Sequence, residues 1–85
     1  MNTIAWTRKA VKQLLKLQLR HQVQIRDAVS KLESMPDVTH VKSLAGHSCG
    51  YRLRVGDYRV LFDWDGGVKI VSVQEVKKRD ERTYS

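Results

Sequence analysis

The chain of 85 residues is long enough to bury one core without disulfide staples and too short for two, so a single domain spanning 1–85 is expected. Hydrophobic residues at 41% and charged residues at 29% exclude a disordered chain or a coiled coil, while a lone cysteine, Cys49, excludes an internal disulfide. Sixteen Lys plus Arg against nine Asp plus Glu leave +7 at pH 7, which points to a polyanionic partner: nucleic acid, an anionic membrane surface or an acidic protein.

In chain order, 2–6 reads as a short β-strand, and Thr7 suits a helix N-cap because its hydroxyl can accept from an orphan amide of the next turn. From Arg8 to about Ser34 there is no Gly or Pro, and Val11, Leu14 and Leu15, then Ile25, Ala28, Val29 and Leu32, recur at helical spacing. Gln18, His21 and Gln22 interrupt that stripe. One helix of this length would span about 40 Å, more than a domain of this size offers, so two antiparallel helices turning near 17–21 are expected. Met35-Pro36-Asp37 ends the helical region, since the residue before proline is pushed out of the helical basin.

After a loop over 38–50 the pattern changes to period two. Tyr51, Leu53 and Val55 alternate with Arg52 and Arg54, Gly56-Asp57 makes a two-residue turn with glycine first, and 58–64 returns. Asp65-Gly66-Gly67 is a second tight turn before a third β-rich run, from 68 to about 76. The expected fold is α+β: an N-terminal strand, a helical hairpin, and a three-stranded antiparallel meander that completes a four-stranded sheet.

The hairpin register carries a functional expectation. A two-residue turn at 56–57 sets Val55 opposite Tyr58, Leu53 opposite Val60 and Tyr51 opposite Phe62, an apolar face that must be core. The other face then carries Arg52, Arg54 and Arg59, with Arg54 directly across from Arg59 at a Cβ separation of about 5 Å. Opposed like charges weaken a sheet by a few tenths of a kcal/mol, and an anion gripped between two guanidinium forks reverses that sign. The same pattern also suits a solvated outer face neutralised by Asp63 or Glu75. Lys77, Lys78 and Arg79 leave the last strand near Arg59, with Tyr84 beyond them. Guanidiniums that stabilise a pentacoordinate phosphorane and a phenol that orients or deprotonates a sugar hydroxyl are groups phosphodiester chemistry uses. Tyr84 equally suits a packing role.

Elsewhere the signals are weaker. His21, His40 and His47 with Cys49 lack metal-ligand spacing, so neither a metal nor another cofactor is expected. Ser48-Cys49-Gly50 reads as a turn. Arg8, Lys9, Lys12, Lys16 and Arg20 form a basic helix face able to steer a polyanion. With no run of about eighteen apolar residues and no signal-peptide core, a soluble cytoplasmic protein with no membrane attachment is expected.

The order of elements, the segment Val41-Lys42-Ser43-Leu44-Ala45-Gly46, the stretch from Tyr51 to Phe62 (YRLRVGDYRVLF) and the tail from Lys77 to Tyr84 (KKRDERTY) together resemble the RelE/ParE superfamily of type II toxin–antitoxin toxins. The resemblance spans nearly the whole chain and favours the RelE branch. It implies a metal-independent endoribonuclease acting in the A site of the 70S ribosome, where the mRNA 2′-hydroxyl attacks the adjacent phosphate and a 2′,3′-cyclic phosphate results. It also implies a cognate antitoxin. By position, catalysis falls on Arg54, Arg59, Arg79 and Tyr84, and contacts to mRNA and rRNA on Lys42, Arg52, Arg54, Lys77, Lys78 and Arg82. RelE-like toxins often carry lysines where Arg52 and Arg54 stand. Arginine holds its proton, so here the pair is expected to bind phosphate rather than act as a base. Two alternatives stay open: a ParE-like inhibitor of DNA gyrase, and a module that binds RNA or antitoxin without cutting.

Overall fold

The structure, a computed structural model, describes residues 1–78. The elements are β1 (Thr3–Trp6), α1 (Arg8–Leu15), α2 (Leu19–Ser30) running into a 3-10 turn (Lys31–Ser34), β2 (Val41–Ser43), β3 (Tyr51–Val55), β4 (Tyr58–Asp65) and β5 (Ile70–Lys78). They form one mixed sheet in the order β1-β5-β4-β3-β2, with β1 parallel to β5 and every other pair antiparallel. The α+β class is as expected, but the sheet has five strands instead of four. The extra strand, β2, comes from the stretch read as loop: Val41, Lys42 and Ser43 pair with Leu53, Arg52 and Tyr51.

Thr7 caps α1 as expected. Its extended backbone lets Oγ1 accept from the Ala10 amide at 3.1 Å, and the hydroxyl donates to the Gln74 carbonyl at 3.2 Å. The break between the helices needs no glycine or proline. Gln18 turns extended (ψ 146°), and the Gln22 amide donates to the Leu17 carbonyl at 2.8 Å, satisfying an acceptor that the end of α1 exposes. His21, the other interruption of the apolar stripe, hydrogen-bonds with the Tyr58 hydroxyl at 2.9 Å and ties α2 to the sheet.

The core lies between the helices and one sheet face. Ile25, Val29 and Leu32 pack toward Val60, Phe62, Val71 and Val73, all with at most 1% exposure. A bulge makes this possible in β5. Leu61 faces Glu75 but Phe62 faces Val73, so Gln74 is the extra residue, and Val71, Val73 and Val76 all bury despite their uneven spacing. The Val76 amide at the bulge donates to Gln13 Oε1 of α1 at 2.7 Å. At the other end, Asn2 is buried, its amide donating to the carbonyls of Glu33 (3.0 Å) and Met35 (3.1 Å) while its carbonyl oxygen accepts from Trp64 Nε1 (3.0 Å).

The hairpin register is the expected one: Val55 opposes Tyr58, Leu53 opposes Val60, Tyr51 opposes Phe62, and Arg54 opposes Arg59. Gly56 takes the positive φ (+54°) that a glycine-first turn needs. Among the described residues no helix is long and apolar enough to cross a membrane.

Candidate functional site

The register writes two rows of side chains across the outer face. One runs Arg54, Arg59, Lys77 over β3, β4 and β5, and the next runs Lys42, Arg52, Leu61, Glu75 over β2 to β5. Leu61 stands between Arg52 and Glu75 in its row and between Arg59 and Asp63 along β4, and is only 5% exposed although it points away from the core. The loop 44–50 covers it. The Leu44 amide donates to the Gly50 carbonyl at 2.9 Å, closing the ends of the loop on each other, and the Gly50 amide donates to Asp63 Oδ1 of β4 at 2.7 Å, pinning the loop to the sheet. Gly46 carries φ +72°, open to glycine without strain. Inside the loop, the Cys49 amide donates to His47 Nδ1 at 3.0 Å.

Between loop and sheet lies a cavity of about 130 Å³ lined by Leu44, His47, Arg52, Arg59, Leu61 and Lys77. A space of this size has room for several waters or a phosphoryl group. The guanidinium Nε atoms of both Arg52 and Arg59 are buried and lack a hydrogen-bond partner among the described residues. A buried donor left unsatisfied costs about 1–3 kcal/mol.

Of the two carboxylates proposed to neutralise this face, Glu75 pairs with Lys77 and neither pairs with Arg52 or Arg59 among the described residues. Asp63 is engaged by the Gly50 amide. Glu75 is bridged by Lys9 Nζ at 2.8 Å and more loosely by Lys77 Nζ at 3.7 Å. The Lys9 hydrogen bond, helped by the charge of Lys77, holds the Glu75 carboxyl below its ordinary range against the opposing effect of burial. Among the described residues neither Arg52 nor Arg59 has an ion pair. Cys49 is buried beneath the loop, and burial together with the nearby charge of Asp63 pushes its thiol up, which keeps it protonated and unreactive.

Of the residues expected to act, Arg52, Arg59 and Lys77 line the cavity. Lys42 is exposed on the edge strand across from Arg52. Arg54 lies across from Arg59 but lines a separate cavity of about 400 Å³, near Lys31, Asp37 and His40. Lys78 is not part of the cluster: it opposes Tyr58, and strand alternation gives it to the helix side of the sheet. Arg79, Arg82 and Tyr84 lie outside the described residues. The loop residues Leu44 and His47 were not anticipated in the site. One signal pointed to them: Val60-Leu61-Phe62 is an unbroken apolar run in an alternating strand, so something had to cover Leu61 on the polar face.

The model of a protein family, the ParE toxins of type II toxin–antitoxin systems, matches residues 4–83. Solved structures share the fold. The RelE chain of an archaeal RelE–RelB complex from Pyrococcus horikoshii superposes with TM-score 0.80 at 26% identity, covering 94% of this chain and 97% of that one. A chain of the RelBE2 toxin–antitoxin complex from Mycobacterium tuberculosis gives 0.77 at 24% identity, over 92% and 98%. The isolated E. coli RelE toxin gives 0.80 at 18% identity, over 99% and 92%. Among curated proteins none matches the chain.

Proposed function

Since the chain belongs to the family of ParE toxins of type II toxin–antitoxin systems, and is therefore a toxin of such a system, we propose that its loop-covered cavity binds an RNA phosphate and that the toxin cleaves mRNA on the ribosome. The observation that carries this reading is the convergence of Arg52, Arg59 and Lys77 on one small cavity under the loop, with neither guanidinium paired to a carboxylate among the described residues. Such a set of cationic donors suits an oxyanion supplied by a ligand.

In this reading the scissile phosphate sits between Arg52 and Arg59. As the 2′-oxygen bonds to phosphorus and the bond to the 5′-oxygen breaks, charge grows on the equatorial oxygens. Arg59, flanked by Arg54 and Lys77 in its row, is placed to meet that charge. The 2′-hydroxyl proton needs an acceptor, a role that arginine cannot fill at working pH; Tyr84, which the superfamily resemblance places among the catalytic residues, is the candidate in this reading. Mutual repulsion within the row is then a ground-state cost that the bound phosphate offsets.

The family match to ParE favours a second reading, inhibition of DNA gyrase. One preparation offered ribosomes with mRNA, and separately gyrase with relaxed DNA, tests both. mRNA fragments ending in 2′,3′-cyclic phosphate support cleavage. Intact mRNA with blocked supercoiling overturns it in favour of gyrase inhibition.

A cognate antitoxin completes the proposal. The RelE neighbours from Pyrococcus horikoshii and Methanococcus jannaschii were solved with their RelB antitoxins. Here the helical hairpin exposes Val11, Leu15, Leu19 and Val23 beside Arg8, Lys12, Lys16 and Arg20, a surface complementary to an acidic amphipathic segment. Co-expression with the adjacent small reading frame is expected to relieve growth arrest. Its failure would refute a neighbouring antitoxin.

A further inference from the structure

The loop 44–50 does more than cover Leu61, because it brings an imidazole, that of His47, to the cavity that Arg52, Arg59 and Lys77 also line. Its Nδ1 accepts the Cys49 amide at 3.0 Å, a bond that requires the lone pair on that nitrogen. The neutral ring therefore carries its proton on Nε2. Among the described residues no hydrogen bond engages Nε2.

The placement is a product of the whole loop. The Asp63 and Gly50 anchors, the glycine at 46 and the buried Cys49 side chain hold the turn that closes on His47 Nδ1. A histidine needed only to close the turn has no reason to line the cavity. A donor for a bound oxyanion does, and a neutral one adds a directed hydrogen bond without adding repulsion to the row of cations.

We propose that His47 is a phosphate-binding residue of this site, its Nε2–H donating to the same phosphoryl group that the guanidiniums of Arg52 and Arg59 hold. This rests on the phosphate-cavity reading given above but not on ribosome dependence. A hydrogen bond to a charged group contributes about 1.5–3 kcal/mol, so its loss weakens binding about tenfold or more.

The test uses the full chain and a non-cleavable 2′-O-methyl RNA trinucleotide, with nitrogen NMR of the imidazole and guanidinium groups. The free protein is expected to show His47 in the Nε2–H tautomer, and the trinucleotide to shift His47 Nε2 together with the Nε signals of Arg52 and Arg59. His47→Ala should bind about tenfold more weakly. His47→Gln, whose amide nitrogen occupies nearly the place of imidazole Nε2, should stay within about threefold of the parent. A role confined to closing the turn predicts the opposite for the imidazole signal, which would stay still while the arginines shift; that result, or unchanged affinity in His47→Ala, overturns the assignment and leaves the cavity standing. If the arginine signals also stay still, and Arg52→Gln and Arg59→Gln bind like the parent, the phosphate cavity itself is refuted. The tautomer and shifts are read on the unmodified chain, so the assignment is tested even where the alanine variant fails to fold.

Discussion

Replacing Arg59 with alanine should separate stability from activity. Arg59 sits between Arg54 and Lys77 across three strands, and its Nε is buried without a partner among the described residues. Two like-charge cross-strand neighbours cost a few tenths of a kcal/mol each, and relieving a buried unsatisfied donor returns about 1–3 kcal/mol. Against this stands the aliphatic stem of Arg59, which helps line the cavity over Leu61; losing its packing costs about 1–2 kcal/mol. These terms sum to between about 0.5 kcal/mol of destabilisation and about 3 kcal/mol of stabilisation, so Tm should fall by well under about 8 °C, if at all, in a domain this small. Cleavage is another matter, because losing one donor to a developing oxyanion typically costs about 10²–10³ in rate. Thermal unfolding by circular dichroism, beside single-turnover cleavage on programmed ribosomes, measures both quantities. A Tm drop well beyond 8 °C with activity falling in step would show that Arg59 holds the fold, and an undiminished rate would remove it from the chemistry.

Asn2→Ala should destabilise the domain by about 2–3 kcal/mol, since it strands the buried Met35 carbonyl and the Trp64 indole N–H, while the Glu33 carbonyl keeps the backbone amide of residue 2; a change under about 1 kcal/mol in denaturant unfolding would contradict this. Lys77→Gln should lower the slope of log RNA affinity against log salt by about one unit, while Lys78→Gln, on the helix side of the sheet, should leave it nearly unchanged. Equal slopes in the two variants would refute the register-based placement. The Glu75 carboxyl titrates below its ordinary 4.5 in the folded protein, so its contribution to stability is complete above that value and is lost as pH falls through the lowered folded pKa. Glu75→Gln or Lys9→Gln should therefore flatten the acid limb of the stability–pH curve, and an unaltered limb would show that the Lys9–Glu75 bond contributes nothing.

Local chemistry was enough to read the elements whose partners are near in sequence. The β3–β4 register follows from a two-residue turn and period-two alternation, so the apolar row of Tyr51, Leu53 and Val55 and the juxtaposition of Arg54 with Arg59 were legible before any coordinates. Thr7 announced the start of α1 for the same reason, because a cap acts within one turn. The features that escaped depend on groups distant in the chain. β2 is three residues without periodicity and exists because β3 offers an edge to pair with. The bulge at Gln74 is secured by Gln13 and Thr7 from α1, some sixty residues away in sequence, and without it Val76 could not share a face with Val71 and Val73. Arg52, Arg59 and Lys77 become a cavity, rather than a solvated patch, only where Asp63 anchors the loop 44–50 over Leu61 and carries His47 to their side. Alternation along a strand determines which way a side chain points; what lies opposite it is set by hydrogen bonds between segments that periodicity cannot relate.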